Sequence, residues 1–196
     1  MTLGLGVLLL TGESPESQRS GFIAANVGVL GRSATIDPVF QIDATLEANQ
    51  WDAIVIDHLG QPAAEPGDVD RLHRQLGYKG LGHHFLIGNG NGLGDGVIHV
   101  GYRWNEQLPG IERLTESNGK PYKRAIGICL IGNGDRRQFT ERQMAQLARL
   151  VRRLQQELKI SHDQVYLHRE VTPSVTSPGR LFPDARFQRR LITDVN

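Results

Sequence analysis

The chain has a single cysteine, almost no net charge and no long apolar run, and each shortage excludes a class of protein. One cysteine among 196 residues, Cys129, excludes an internal disulfide and a multi-cysteine zinc cluster. A net charge of +1 argues against a partner selected mainly by bulk charge, such as nucleic acid. No segment approaches the ~18 apolar residues that a membrane span requires. The 39% hydrophobic and 22% charged content is ordinary for a globular protein.

Two local features depart from this average. Residues 136–190 are rich in arginine, and we expect most of these side chains to form a solvated helix face, with part of the segment able to meet an anionic polymer. Residues 3–10 are apolar and resemble the middle of an export signal, but no basic residues precede them. A buried first strand is an equally good interpretation, so the sequence leaves both open.

Hydrophobic periodicity predicts strands that alternate with helices. Short apolar runs predict strands at 51–56, 85–87, 97–102, 125–131 and 163–167. Helical spacing predicts helices at 67–76 and 140–158, the second beginning with a capping box of Thr140 and Gln143. The pattern indicates one α/β domain with a central sheet, over residues 51–190. Residues 1–50 carry no motif and are interpreted as a segment that packs on or precedes this domain.

Five blocks, in order, carry a family resemblance. They are WDAIVIDH (51–58), GLGHHFLI (80–87), IGICLIGN (126–133), TERQMAQLARLVRRL (140–154) and HREVTPSVTSPGRLFP (168–183). Together they resemble the type-2 N-acetylmuramoyl-L-alanine amidases and the related peptidoglycan recognition proteins. The resemblance implies a central mixed β-sheet flanked by helices. It also implies a zinc-bound water that hydrolyses the amide between the lactyl group and L-alanine of peptidoglycan.

The family's three zinc ligands, two histidines and a cysteine, map onto Asp57, His168 and Ser177. Only His168 keeps the family residue. Asp57 is able to coordinate zinc through oxygen, and a one-residue bulge would instead turn His58 inward. A neutral serine at Ser177 is a poor zinc ligand, because its hydroxyl must lose a proton that cysteine gives up readily. Zinc is therefore the implied cofactor, but the substituted ligands weaken that implication.

The family's other site positions are also changed. Its catalytic tyrosine corresponds to His83, which can relay protons, bind metal or simply line the groove. Its lysine or threonine near the last ligand corresponds to Val175, which can neither donate a hydrogen bond nor carry charge. By the same resemblance, the groove that binds substrate includes His58, His84, Asn133 and Arg180. For His84, a structural role at the edge of the core is the alternative.

These substitutions leave three hypotheses open. The first is a module that binds peptidoglycan or muropeptides through the amidase groove, with zinc-dependent hydrolysis lost or impaired. The second is an active amidase with a non-standard zinc site, in which Asp57 or His58 joins His168 and His83. The third is a scaffold that has lost both properties. The substrate class implies the cell envelope or periplasm, with the cytoplasm as the alternative.

Overall fold

The computed structural model describes residues 37–42, 46, 50–111 and 124–192, and its elements follow the predicted alternation. The described residues belong to one compact unit, Ser33–Asn196. The strands are β1 (Ala53–His58), β2 (Phe85–Ile87), β3 (Ile98–Val100), β4 (Ala125–Leu130) and β5 (Val165–Leu167). The helices are α1 (Pro66–Gln75), α2 (Tyr102–Asn105), α3 (Glu141–Leu158), α4 (His168–Val171) and α5 (Asp184–Ile192), with 3-10 turns at Asp37–Phe40 and His162–Gln164.

The five strands form one mixed sheet in the order β3-β2-β4-β1-β5. Strands β1, β2, β4 and β5 are parallel, and β3 pairs antiparallel with β2. The predicted architecture, a single α/β domain with a mixed sheet flanked by helices, is confirmed. Because four strands are parallel, their carboxyl ends and the loops that follow them meet at one edge of the sheet.

Helix α3 covers one face of the sheet and contributes its whole apolar side to the main core. The Thr140 hydroxyl oxygen accepts a hydrogen bond from the Gln143 N–H, and the Gln143 side-chain oxygen accepts one from the Thr140 N–H, so the predicted capping box is confirmed. Leu147, Val151 and Leu154 recur at helical spacing and are fully buried against the strands. Each such side chain contributes about 2 kcal/mol of transfer free energy. Helix α5 packs beside α3 on this face and places Phe187 in the same core.

The opposite face of the sheet holds a second, smaller set of contacts. Helix α1 begins with Pro66 and buries Val69 against Leu86, Cys129 and Ile131. Cys129 is fully buried, as predicted. Along β1, side chains alternate between faces, so Ala53 and Val55 lie on this face together with Asp57. The alternation brings Asp57 to the end of a buried strand on the face away from α3.

The structure also corrects the predicted elements. The strand predicted at 97–102 ends at Val100, because Tyr102 begins the short helix α2. Helix α5 and the turn Asp37–Phe40 were not predicted; Val39 from that turn is buried, and its carbonyl accepts a 2.6 Å hydrogen bond from the Trp104 indole. The apolar run at 3–10 lies outside the described residues. No helix within the described ranges is long and apolar enough to cross a membrane.

Candidate functional site

The edge at which the parallel strands end brings together three distant segments of the chain. Strand β1 ends at His58, strand β5 leads directly into His168 at the start of α4, and the loop after β4 begins at Ile131. The segment around Ser177 folds back over this edge, and its carbonyl accepts a hydrogen bond from the Arg169 N–H at 2.8 Å. The three family ligand positions, 57, 168 and 177, are therefore neighbours in space, although up to 120 residues separate them.

Asp57 is the centre of this cluster and contacts both other ligand positions. The Ser177 hydroxyl donates a hydrogen bond to Asp57 Oδ1. The His58 N–H also donates to Oδ1, at 2.7 Å, and contacts Ser177 Oγ at 2.8 Å. Asp57 Oδ2 lies 3.2 Å from His168 Nδ1. The two side chains are largely shielded from water, with 14% of Asp57 and 23% of His168 exposed.

The surroundings of Asp57 favour its ionised form. Burial by itself would raise the pKa of this carboxyl group, because a charge is poorly solvated there. The hydrogen bond from His168, the positive charge of His83 and His168, and the Ser177 hydroxyl together outweigh burial and lower the pKa of Asp57 to about 2. The carboxylate is therefore charged at neutral pH and is compensated by its own neighbours.

This arrangement differs from the family's zinc site at Ser177. The Ser177 hydroxyl keeps its proton and directs it at Asp57, whereas a zinc ligand would direct a lone pair at the metal. His168 Nδ1 and Asp57 Oδ2 lie 3.2 Å apart, which is close to the separation of two ligands on one tetrahedral zinc ion. Among the described residues, no three His, Cys, Asp or Glu side chains come together as metal ligands. The alternative ligand set, Asp57 or His58 together with His168 and His83, stays a prediction.

His58 takes a different position from Asp57, as expected for neighbours on a strand. The pairing of β1 with β4 continues without interruption from Ala53 opposite Ala125 to His58 opposite Leu130. The alternative prediction, a bulge in β1 that turns His58 inward, is therefore wrong. The His58 Nδ1 atom lies 3.0 Å from the Gly134 N–H and 2.8 Å from the Pro178 carbonyl, so the imidazole ties two loops together beside the cluster.

The two neighbouring histidines before β2 are both buried. His83 is 3% exposed and packs edge to face against His73 on α1, with ring centroids 5.2 Å apart. The electrostatic interaction between His83 and Asp57 indicates that His83 lies near the cluster. Its low exposure places it beneath the surface. His84 is fully buried: Nδ1 accepts the Gly127 N–H at 2.9 Å and Nε2 contacts the Leu108 carbonyl at 2.9 Å. His84 is a structural residue, and the groove-lining role expected for it is a misassignment.

The remaining predicted site residues lie around the cluster rather than in it. Asn133 uses both amide atoms within the protein, donating to the Gly60 carbonyl at 2.9 Å and accepting the Asp135 N–H at 3.0 Å. Arg180 is exposed and donates through Nε to the Asp135 carbonyl at 3.2 Å. Val175 is half-buried and lines an open depression together with Arg180. Their roles in binding or catalysis stay predictions.

Asp135 is the main residue of this edge that the sequence did not indicate. Its carboxylate accepts a 2.6 Å hydrogen bond from the Thr176 hydroxyl and a 2.9 Å bond from the Arg180 N–H, which lowers the pKa of Asp135. Asp135 therefore fixes the segment that carries Ser177. The only signal in the sequence was its place in the loop after the buried strand β4, where polar residues at a sheet edge often act on ligands or loops.

Solved structures with a similar fold are amidases and recognition proteins. The N-acetylmuramoyl-L-alanine amidase LysC from Clostridium intestinale URNW matches with a TM-score of 0.59 and 28% identity, over 76% of this chain and 91% of that one. Peptidoglycan recognition proteins LCa and LCx bound to tracheal cytotoxin match with a TM-score of 0.54 and 25% identity, over 74% and 86%. Drosophila PGRP-LB, at 22% identity and a TM-score of 0.53, is similar in fold alone.

Sequence comparison leads to the same family. A search of curated protein sequences gave no match. The family model described as N-acetylmuramoyl-L-alanine amidase (Amidase_2) matches residues 47–180, which is more than half of the chain. That match includes the end of β1, the loop after β4, His168 and Ser177. The chain therefore belongs to the N-acetylmuramoyl-L-alanine amidase family.

Proposed function

We propose that this protein binds peptidoglycan or its muropeptide fragments at the Asp57 edge of the sheet and has lost zinc-dependent amide hydrolysis. Membership of the family supports peptidoglycan binding or amidase activity as the two candidate functions. The observation that favours binding without hydrolysis is the cluster of Asp57, Ser177 and His168, in which the Ser177 hydroxyl donates to Asp57 instead of serving as a thiolate-like ligand. The same proposal assigns the protein to the cell envelope, with the cytoplasm as the alternative.

The chemistry of the substituted positions supports the loss of hydrolysis. Zinc in hydrolases is held by nitrogen, thiolate or carboxylate ligands and activates a bound water. Here one ligand position is a neutral hydroxyl, and the carboxylate at another already has hydrogen bonds from Ser177 and the His58 N–H. Val175, at a position that helps proton transfer in the family, has only an aliphatic side chain. The substitutions at Ser177 and Val175 therefore support a loss of the ability to hold and deprotonate that water.

The same edge retains features that suit binding. Arg180 is exposed, and a guanidinium forms paired hydrogen bonds with a carboxylate such as those of stem peptides. Val175 and Thr176 lie beside it in an open depression that gives an extended ligand apolar and polar contacts. Among similar structures, the complex of proteins LCa and LCx holds tracheal cytotoxin. A muropeptide is accordingly the ligand class we assign to this chain.

Calorimetric titration with a soluble disaccharide-tetrapeptide tests the binding half of the proposal. The wild-type protein should bind this fragment, and Arg180→Gln should weaken binding by about tenfold because a charge-assisted hydrogen bond is lost. Arg124→Gln is the matched control, since Arg124 precedes β4 at the opposite edge of the sheet. Absence of binding by the wild-type protein would contradict the proposal.

Measurement of bound zinc tests the second part of the proposal, the loss of zinc-dependent hydrolysis. Protein purified without chelators should contain far less than one zinc per chain. Stoichiometric zinc that disappears in His168→Ala would instead favour the second candidate, an active amidase with non-standard ligands. In that case Asp57 and His168 would hold the metal together, and the Ser177 hydroxyl would have to give up its hydrogen bond to Asp57 or be replaced as a ligand.

A further inference from the structure

A separate cavity opens at the same edge of the sheet, between three loops. It has a volume of about 360 Å³ and is bounded by the loop after β1 at Gly60, the loop after β2 at Asn89 and the loop after β4 at 131–140. Asp57, His168 and Ser177 do not line it. The cavity is therefore distinct from the cluster described above. The hydrogen bond from the Gly134 N–H to His58 Nδ1 joins the two loops that lie between them.

The rim of the cavity is positively charged. Arg136 and Arg137 line it and are both exposed. Within the part of the chain that the structure describes, neither guanidinium has an ion-pair partner, and no Asp or Glu lines the cavity. Asp135, next in sequence, is engaged with Thr176 and Arg180 on the other side of the loop. The two arginines are thus available to an anionic group.

The walls of the cavity are polar and held in place by backbone contacts. Asn89 donates to the Pro62 carbonyl at 2.9 Å and accepts the Asn91 N–H at 3.0 Å, which joins the loops after β1 and β2. Gly92, with a φ of +89°, packs so closely on the Ala64 carbonyl that any larger side chain would collide with it. Preformed walls reduce the ordering cost of binding a ligand.

The floor of the cavity is apolar. Ile131 and Phe139 line it, and Gln143 beneath them donates to the carbonyls of Ile87 and Ile131 at 3.1 and 2.8 Å. The combination of an apolar floor, amide side chains on the walls and charged groups at the rim is typical of small-ligand sites, whose volumes begin at about 300 Å³.

We propose that this cavity is a second binding site, which takes a carboxylate-bearing amino sugar. Arg136 and Arg137 pair with the carboxylate, the exposed Asn91 amide meets hydroxyl and acetamido groups, and Phe139 meets the apolar face of the ring. The choice of sugar rests on the proposed function, whereas the arguments from charge and shape do not. Arg136 also lines the depression beside Val175 and Arg180, so the two openings share one residue of their walls.

The test is an NMR titration of the labelled full-length chain with N-acetylmuramic acid, which carries a free lactyl carboxylate. We expect shifts in the amides of Gly60, Asn89 and residues 132–140. The uncharged carboxamide of the same sugar should bind about tenfold more weakly, and so should the acid with the double variant Arg136→Gln/Arg137→Gln. Arg124→Gln should bind like the wild-type protein.

The outcomes separate this inference from the proposed function. Shifts confined to residues around Asp57 and Ser177, or equal affinity for the acid and the carboxamide, would overturn the second site and leave the muropeptide groove standing. Shifts confined to residues 132–140 and the facing loops would support the second site even if muropeptide binding at Arg180 fails. The comparison of acid with carboxamide needs no variant, so the inference stays testable if the double variant folds poorly.

Discussion

Two regions at the same edge of the sheet differ in whether their charged groups are compensated by neighbouring side chains. At the Asp57 cluster, a carboxylate, a hydroxyl and an imidazole satisfy one another. A short distance along the edge, Arg136 and Arg137 line a cavity and have no ion-pair partner among the described residues. Groups that compensate each other stabilise the fold, whereas charged groups left without a partner are available to a ligand.

The compensated cluster lies where the family's zinc ligands would be, so it changes how these segments are joined. In a zinc amidase, the metal joins the end of the first strand to the segments that carry the other two ligands. Here hydrogen bonds from Ser177 and the contact with His168 join the same segments around Asp57. In the proposed function, these contacts take the structural part of the metal's role, and ligand binding falls to residues around the cluster.

The largest expected effect comes from restoring the family ligands. The double variant Asp57→His/Ser177→Cys should bind zinc about a thousandfold more tightly than the wild-type protein, or by about 4 kcal/mol. An imidazole and a thiolate then replace a carboxylate and a hydroxyl beside His168. Competition with a chromophoric chelator measures the affinity. Adding His168→Ala should abolish the gain; an unchanged affinity in the double variant would mean that the three positions no longer share a coordination point.

Removing the central carboxylate should have the next largest effect. Asp57→Ala removes the acceptor of the Ser177 hydroxyl, one of the two acceptors of the His58 N–H, and the carboxylate beside His168. We expect the free energy of unfolding to fall by about 3 kcal/mol, measured by urea denaturation. Asp52→Ala, an exposed acid just before β1, should change it by less than about 0.5 kcal/mol. Equal effects of the two substitutions would contradict a structural role for the cluster.

The stabilisation from Asp57 should also depend on pH in acid. Its pKa is lowered from 3.8 to about 2, so the folded state favours the ionised carboxylate. The stabilisation is then complete above about pH 4 and is lost as pH falls through about 2. The difference in unfolding free energy between wild type and Asp57→Asn should shrink by about 2 kcal/mol over this range. Parallel pH curves for the two proteins would refute this interpretation.

The smallest expected effect lies in the cavity. Arg136→Gln/Arg137→Gln should change the free energy of unfolding by less than about 0.5 kcal/mol. Arg169→Gln is the informative contrast, because Arg169 pairs with Asp184 and donates to the Gly179 carbonyl at 3.0 Å. It should cost about 1 kcal/mol. If the cavity arginines proved as costly as Arg169 in thermal or urea unfolding, they would be structural residues and not ligand-binding ones.

Local patterns in the sequence were sufficient for most of the scaffold. The capping box at Thr140 and the spacing of Leu147 and Val151 correctly predicted helix α3, and the short apolar runs predicted all five strands. Strand alternation also separated Asp57 from His58 correctly. Helix α5 was missed, since its arginines were interpreted as part of a charged surface while Phe187 and Leu191 four residues apart are its buried face.

The site depended on contacts that no local pattern contains. Ser177 and Asp57 are 120 residues apart, and Asp135 and Thr176 are 41 residues apart. Sequence alone brought Ser177 and Asp57 together only through the resemblance, and it gave no sign that they bond to each other. The burial of His84 likewise follows from its bonds to Gly127 and Leu108, which tertiary packing creates. The boundary at residue 50 stays a prediction.

The central claim is that the protein binds muropeptides without cleaving them. Its most direct test is to incubate the protein with a soluble disaccharide-tetrapeptide and excess zinc, and to follow free tetrapeptide by mass spectrometry. The account predicts a muropeptide that is bound but intact, with no tetrapeptide release above that of buffer with zinc. Release of tetrapeptide that requires His168 and is lost in His168→Ala would contradict it.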